Sequence, residues 1–284
     1  MRLVTFSDGG TAKIGVRDGD AIIDVSAAAA AFGGDMIGVI KGGKAAQTAL
    51  AAAAKGGKGA PMASVKLLPP IPSPGKILCI GRNYAAHAAE GGAAPPTFPE
   101  VFVRTPSSLV AHGEALVVPK ASEKFDFEGE LVLVIGKTGR HIAEADAYDM
   151  IYGWSLFNDG SVRDYQRKAS QWTMGKNFDG TGAFGPDIVT VDEVTPGAVG
   201  LQLKTHVSGE TMQNANTRDL IFPIAKLIYH LTEVMTLEAG DIVVTGTPEG
   251  VGYARKPPRW LVPGDRVDIE VEQVGVLSNT VVAE

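Results

Sequence analysis

The 284-residue chain has a single cysteine, Cys79, which excludes an intrachain disulfide and a cysteine-rich zinc site. Cys79 lies in the apolar run ILCIG and reads as an inert core thiol rather than a nucleophile. No apolar run reaches the roughly 18 residues that a membrane-crossing helix requires. The opening MRLVTFSDGG lacks the apolar core of a secretory signal, so a cytoplasmic location is the expectation. A basic stripe is missing, and a formal net charge of -6 argues against a nucleic-acid partner. No Gly-x-Gly-x-x-Gly follows a strand, which removes a dinucleotide-binding oxidoreductase. No internal repeat at a period of about 20 to 50 residues is visible. With 45% apolar and 20% charged residues, the chain has the composition of an ordinary globular protein.

The most informative stretch is FDFEGELVLVIGK, residues 125–137. Its aliphatic second half predicts a buried β-strand. Its first half carries Asp126, Glu128 and Glu130, which a side-chain period of two places on one face. Burying like charges together is very costly unless something neutralises them. A divalent cation does so, and carboxylate oxygens suit Mg²⁺, Mn²⁺ or Ca²⁺. The other reading is an exposed edge strand whose acidic face meets water.

Before this stretch, RLVTF, AKIGVR and AIIDV predict short strands separated by turn residues. The alanine-rich residues 26–57 predict two short helices broken at Gly33 and Gly34. LLPPIPSPGK predicts an extended linker, which divides the chain into a small domain over 1–70 and a larger one over 71–284. The larger part opens on the strand KILCIG, and Arg82 falls at the turn into a short helix, YAAHAAE. There His87 and Glu90, three apart, share a face. Such a pair is either a general base with its orienting carboxylate or an incidental surface pair. Arg104 is either a fixed cation for an anionic ligand or a surface charge.

Farther on, IYGWSLF predicts a strand ending at Asn158-Asp159-Gly160, where Asp159 is either a cap or a metal ligand. SVRDYQRK predicts a helix on which Arg163 and Gln166 share a face fit to grip a carboxylate. Lys176, in a glycine-dense loop with Trp172 and Phe178, is either a substrate clamp or a snorkelling surface lysine. Residues 217–237 predict a helix whose His230 reads as structural. DIVVTGTPEGVG predicts a buried strand entering a turn whose Thr245 and Thr247 hydroxyls can receive an anion. VDIEVE near the end alternates charged and apolar residues, so its acids are expected to face solvent.

Five stretches in this order, GRNYAAHAAE, FDFEGELVLVIGK, GWSLFNDGSVRDYQ, QWTMGKNFDGTGAFGP and DIVVTGTPEGVG, resemble the fumarylacetoacetate hydrolase family over about residues 72–282. The resemblance implies a mixed, β-rich α/β fold: a β-sandwich roll preceded by a small N-terminal α+β domain, usually as a homodimer. It implies one Mg²⁺ or Mn²⁺ held by Glu128, Glu130 and Asp159, with Asp126 behind them. It implies His87 and Glu90 as the water-activating pair and Lys176 as a catalytic lysine near the substrate. It places Arg82, Arg104, Arg163, Gln166 and Thr247 around a small 2-oxo acid. The chain departs from the family at Arg104, where lysine is frequent, and in NFDGTGAFGP and NDGSVRD, which bear on the substrate's variable end. The implied reaction is hydrolysis of a carbon–carbon bond in an acylpyruvate or related β-diketo acid, releasing a pyruvate-type product. The alternatives in the same site are oxaloacetate decarboxylation, ketonisation, hydroxymuconate isomerisation and sugar-acid dehydration. A non-catalytic cation-binding protein is the alternative outside enzymology.

Overall fold

A computed structural model describes residues 1–284. The fold is mixed α/β and rich in strands, organised as a twelve-stranded sheet, a five-stranded sheet and a two-stranded ribbon. In the large sheet, strand Gly129–Ile135 lies between Ile151–Asp159 and Ile242–Val244, pairing antiparallel with both. Beyond Ile242–Val244 come the parallel strand Ile77–Gly81 and then the edge strand Glu100–Val103. The five-stranded sheet runs Glu210–Asn216, Gln202–Val207, Arg266–Val271, Gly275–Ala283 and Leu116–Val118.

Strand Gly129–Ile135 is buried on both faces, which explains its unbroken apolar run. Leu131, Leu133 and Ile135 enter the core shared with the five-stranded sheet. Val132 and Val134 enter a second core with Leu3, Val39, Ile40 and Leu50 from the first 70 residues. Burying five aliphatic side chains contributes on the order of 10 kcal/mol, before the entropy of ordering them. That anchorage holds the acidic end of the strand in place. The first 70 residues also extend the large sheet, because Arg2–Ser7 pairs antiparallel with Gly182–Thr190. Arg2 and Arg17 both reach the buried Asp187 carboxylate on that strand.

Several elements are shorter than the sequence predicts. The expected strand over 125–137 splits: Phe125–Asp126 pairs with Ser161–Val162, and the main strand begins at Gly129. The helix expected over 217–237 is confined to Ile224–Val234, where Pro223 sets its start. SVRDYQRK yields only the single turn Arg163–Gln166. Of the alanine-rich pair, the first helix is one turn, and the second runs Met36–Ala54 after Asp35 caps it by accepting from the Gly38 amide. No helix is long and apolar enough to cross a membrane.

Candidate active site

Glu128 and Glu130 flank a glycine for a steric reason. A Cβ at Gly129 would stand 2.1 Å from Thr205 Oγ1 on the facing sheet. The facing sheet therefore closes directly onto the backbone between the two glutamates, on the face opposite their carboxylates. Gln213, also on the facing sheet, accepts from the Gly129 amide at 3.0 Å and donates to Thr247 Oγ1 at 2.8 Å. Thr247 Oγ1 in turn donates to the Gly129 carbonyl at 3.0 Å. These bonds tie the acidic strand to the turn after Ile242–Val244. Nothing in the local sequence marks Gln213, since its partners are 84 and 34 residues away.

Asp159 ends strand Ile151–Asp159 and donates its backbone amide to the Glu128 carbonyl at 2.8 Å. Carboxylate oxygens of Glu128, Glu130 and Asp159 all lie within 4.8 Å of one another, and all three residues are buried. The solvated-face reading of this stretch is therefore wrong. Asp126 leaves the group because the strand breaks before Glu128. Its carboxylate accepts from Arg163 Nε at 2.8 Å and from the amides of Gly252 and Tyr253.

The positive charges around the triad are unevenly shared. Lys176 Nζ lies 2.6 Å from both Glu128 Oε2 and Asp159 Oδ2. Arg163 Nη2 lies 2.6 Å from Glu128 Oε1. Burial opposes the charge on Glu128, but Arg163 and Lys176 outweigh it and hold the carboxyl well below the usual range. Glu130 forms no ion pair and accepts only the Gly246 amide. Burial, then the charges of Asp159 and Glu128, push its carboxyl well up. A cluster of hard oxygens that the protein's own cations neutralise only in part fits a divalent cation such as Mg²⁺ or Mn²⁺.

These three carboxylates form one wall of a cavity of about 210 Å³. His87, Lys176, Arg82, Arg163, Gln166 and Thr247 line it as well. Lys176 is fully buried, which removes the snorkelling alternative. Its ammonium lies over Phe102, 4.9 Å from the ring centroid. His87 Nδ1 is 2.8 Å from Glu90 Oε1, and the other Glu90 oxygen accepts from the Gly250 amide at 2.9 Å. An ionised carboxylate only accepts, so Glu90 fixes the proton on Nδ1 and leaves the Nε2 lone pair for the cavity. Arg82 has φ of +52°, rare outside glycine, and forms a bidentate pair with Glu100 at the cavity edge.

Arg104 is the correction. It does not face the cavity. Its guanidinium is fully buried behind Asp159, bonding Asp159 Oδ1 at 2.7 Å, the Gly160 carbonyl and Thr181 Oγ1. It fixes a triad carboxylate rather than a ligand. Arg167 and Tyr253 line the cavity without any local sequence signal, whereas Trp172 stands out only as an aromatic near Lys176. Gly81 offers a retrospective signal for Trp172, since any Cβ there would stand 2.2 Å from the Trp172 ring.

Comparison with known proteins gives consistent results. Residues 76–282 match the fumarylacetoacetate (FAA) hydrolase C-terminal family. Oxaloacetate tautomerase YisK of Bacillus subtilis is 42% identical over 224 residues, covering 78% of this chain and 74% of that one. The mitochondrial oxaloacetate tautomerase fahd2 of Xenopus laevis is 39% identical over 290 residues, covering 99% and 90%. Among solved structures, maleylpyruvate hydrolase from Sphingobium sp. SYK-6, in complex with manganese (II) ion and pyruvate, superposes with a TM-score of 0.84 at 34% identity. That match covers 100% of this chain and 99% of the other. The fumarylacetoacetate hydrolase of Exiguobacterium antarcticum gives 0.87 at 33% identity with full coverage of both chains.

Proposed function

The chain belongs to the fumarylacetoacetate hydrolase family, and we propose that within it the protein is a metal-dependent enzyme of small 2-oxo acids that interconverts the enol and keto forms of oxaloacetate. The observation that carries this reading is the placement of His87, with Nε2 free and Nδ1 held by Glu90, in one cavity with the buried carboxylate triad. The roughly 40% identity to two oxaloacetate tautomerases across most of the chain supports the choice of reaction.

Glu128, Glu130 and Asp159 would hold Mg²⁺ or Mn²⁺, which when bound supplies Lewis-acid polarisation of the 2-oxo acid end. Lys176, Arg163 and Gln166 line the same wall and orient that end by charge and hydrogen bonding. His87 Nε2 takes the proton from the carbon beside the keto group and delivers it to the enolate oxygen, or the reverse, so that one proton moves between the two atoms. Glu90 stabilises the imidazolium formed in between, and its second anchor on the Gly250 amide keeps the ring from swinging out. Trp172, closed onto Gly81, shields the reacting carbon from bulk water.

A second reading, hydrolysis of an acylpyruvate, uses the same base on water and is favoured by the fold shared with maleylpyruvate hydrolase. One experiment separates them. Protein loaded with Mn²⁺ is mixed with enol oxaloacetate, the enol's ultraviolet absorbance is followed, and pyruvate release is assayed in parallel. Accelerated enol decay without pyruvate is the expected result. Inactivity on the enol, with pyruvate released from acetylpyruvate, gives the second reading. Inactivity on both substrates removes the enzyme assignment.

A further inference from the structure

Four cationic side chains line the cavity, and three are committed to carboxylates of the protein. Lys176 bridges Glu128 and Asp159. Arg163 binds Asp126 and Glu128. Arg82 is bidentate to Glu100. Arg167 lines the same cavity, yet no acidic side chain pairs with it. It is exposed at the cavity mouth, where its guanidinium carbon lies over the Tyr253 ring, 4.6 Å from the centroid.

Tyr253 is itself fixed from several directions. Its amide donates to Asp126 at 3.0 Å, and the Arg163 guanidinium lies over the same ring at 4.5 Å. The Tyr253 hydroxyl is pressed against Gly91, where a Cβ would stand 2.6 Å from it. Gly91 follows Glu90, so the ring that carries Arg167 touches the end of the helix bearing the His87–Glu90 pair. A planar guanidinium stacked on an aromatic ring keeps its edge donors free and loses little entropy when it binds a carboxylate.

The geometry points to Arg167, positioned by Tyr253, as the residue that selects substrates with a second carboxylate: it would bind the far carboxylate of a short 2-oxo dicarboxylate whose 2-oxo acid end lies at the triad. The inference rests on the 2-oxo acid reading given above and adds to it the residue that makes the cavity prefer a dianion. It also explains an otherwise unusual economy. Lys176, Arg163 and Arg82 are each paired with carboxylates of the protein, and Arg167 is the lining cation without such a partner.

The test is a binding ratio, independent of turnover. The affinities of 2-oxoglutarate and 2-oxopentanoate, which differ only in a terminal carboxylate against a methyl group, are measured by calorimetry on the Mn²⁺-loaded protein. The wild type is expected to favour the dianion by roughly tenfold or more, the worth of one charge-assisted hydrogen bond. Arg167→Gln should abolish that preference and change 2-oxopentanoate binding by less than about twofold. Arg167→Lys should keep part of it. Tyr253→Phe, which retains the ring, should keep it, and Tyr253→Leu should lose part. The inference is overturned if the wild type shows no preference, if Arg167→Gln keeps it, or if Arg167→Gln weakens both ligands alike. Failure of the wild type to turn over any 2-oxo acid would instead refute the enzymatic reading, and leaves the binding ratio as a valid test of Arg167.

Discussion

Two strands of this protein carry acids at alternate positions, and only one of them makes a site. In Glu128-Gly129-Glu130 both carboxylates are buried. In Asp268-Ile269-Glu270 the strand is just as regular, yet Glu270 is exposed and Asp268 partly so. The difference lies on the acids' own face of each sheet. Ile269 fills the core, so its neighbours take the opposite face of the sheet, which meets water. There Asp268 pairs with Arg266, and Lys204 lies opposite Glu270 in register. The Glu128 and Glu130 carboxylates instead meet Asp159, Arg163 and Lys176, while the facing sheet closes on the Gly129 backbone behind them. Alternation of charge describes both strands. What separates them is whether a second layer covers the acidic face as well.

The largest effects should come from removing that difference chemically. Glu130→Gln and Asp159→Asn should abolish high-affinity Mn²⁺ binding in calorimetry and reduce turnover to the uncatalysed background. Chelator should do the same to the wild type, with activity restored by Mn²⁺. In chelator, Glu130→Gln should melt above the wild type, because a buried carboxyl without an ion-pair partner must give up its charge for the chain to fold, and the amide has none to give up. Glu270→Gln should alter neither metal binding nor turnover, and stability by no more than about 0.5 kcal/mol. Loss of metal binding in Glu270→Gln, or its retention in Glu130→Gln, would erase the contrast between the two strands.

A second matched pair gives a smaller effect. His230 and Glu233 repeat the spacing of His87 and Glu90 on the helix Ile224–Val234, with Nδ1 3.1 Å from Glu233 Oε2. His230 packs among Phe98, Phe222 and Tyr229, outside the cavity. His87→Ala should lower kcat by roughly two to four decades, the usual worth of a general base, and leave Mn²⁺ affinity unchanged. His230→Ala should stay within about threefold, since it removes no group that meets the substrate. Equal losses in the two variants would mean that His87 acts through folding rather than through proton transfer.

These contrasts also show what the sequence could and could not convey. Strand period made the apolar run 131–135 and the outward acids at Asp268 and Glu270 readable from local pattern alone. The same rule misplaced Asp126, because the break at Phe127 and Glu128 is imposed by pairing with Ser161–Val162, more than 30 residues away. Arg104 is neither at the ligand cavity nor at the surface, the two places its sequence context suggests, for a similar reason. Its partner Asp159 is 55 positions distant, and no local pattern separates a guanidinium behind a carboxylate from one in front of it. Arg167 and Tyr253 meet only through tertiary contact, and neither has a spacing that would have marked it. Helix lengths failed where single prolines and short turns outweighed apolar period. The triad itself became legible only when several motifs in order were considered together, because Asp159 alone is indistinguishable from a turn residue.

The smallest and sharpest test addresses the packing behind the acidic strand. Gly129→Ala leaves every carboxylate in place and adds one methyl group, which would meet Thr205 Oγ1 at 2.1 Å, with Gln213 Oε1 and Ile269 next at 3.3 Å. The backbone cannot move far, because Gly129 and Thr247 are bonded through Gln213. Overpacking of this kind typically destabilises by about 1–3 kcal/mol, read as a lower denaturant midpoint, and it should weaken Mn²⁺ binding by spreading the two glutamates. Thr205 Oγ1 is buried without a hydrogen-bond partner, so Thr205→Ala removes the obstruction without breaking a bond. In the double variant Gly129→Ala/Thr205→Ala, stability and Mn²⁺ affinity should both recover in part, a coupling that independent sites would not show. Additive losses would mean that the facing sheet does not press on the acidic strand.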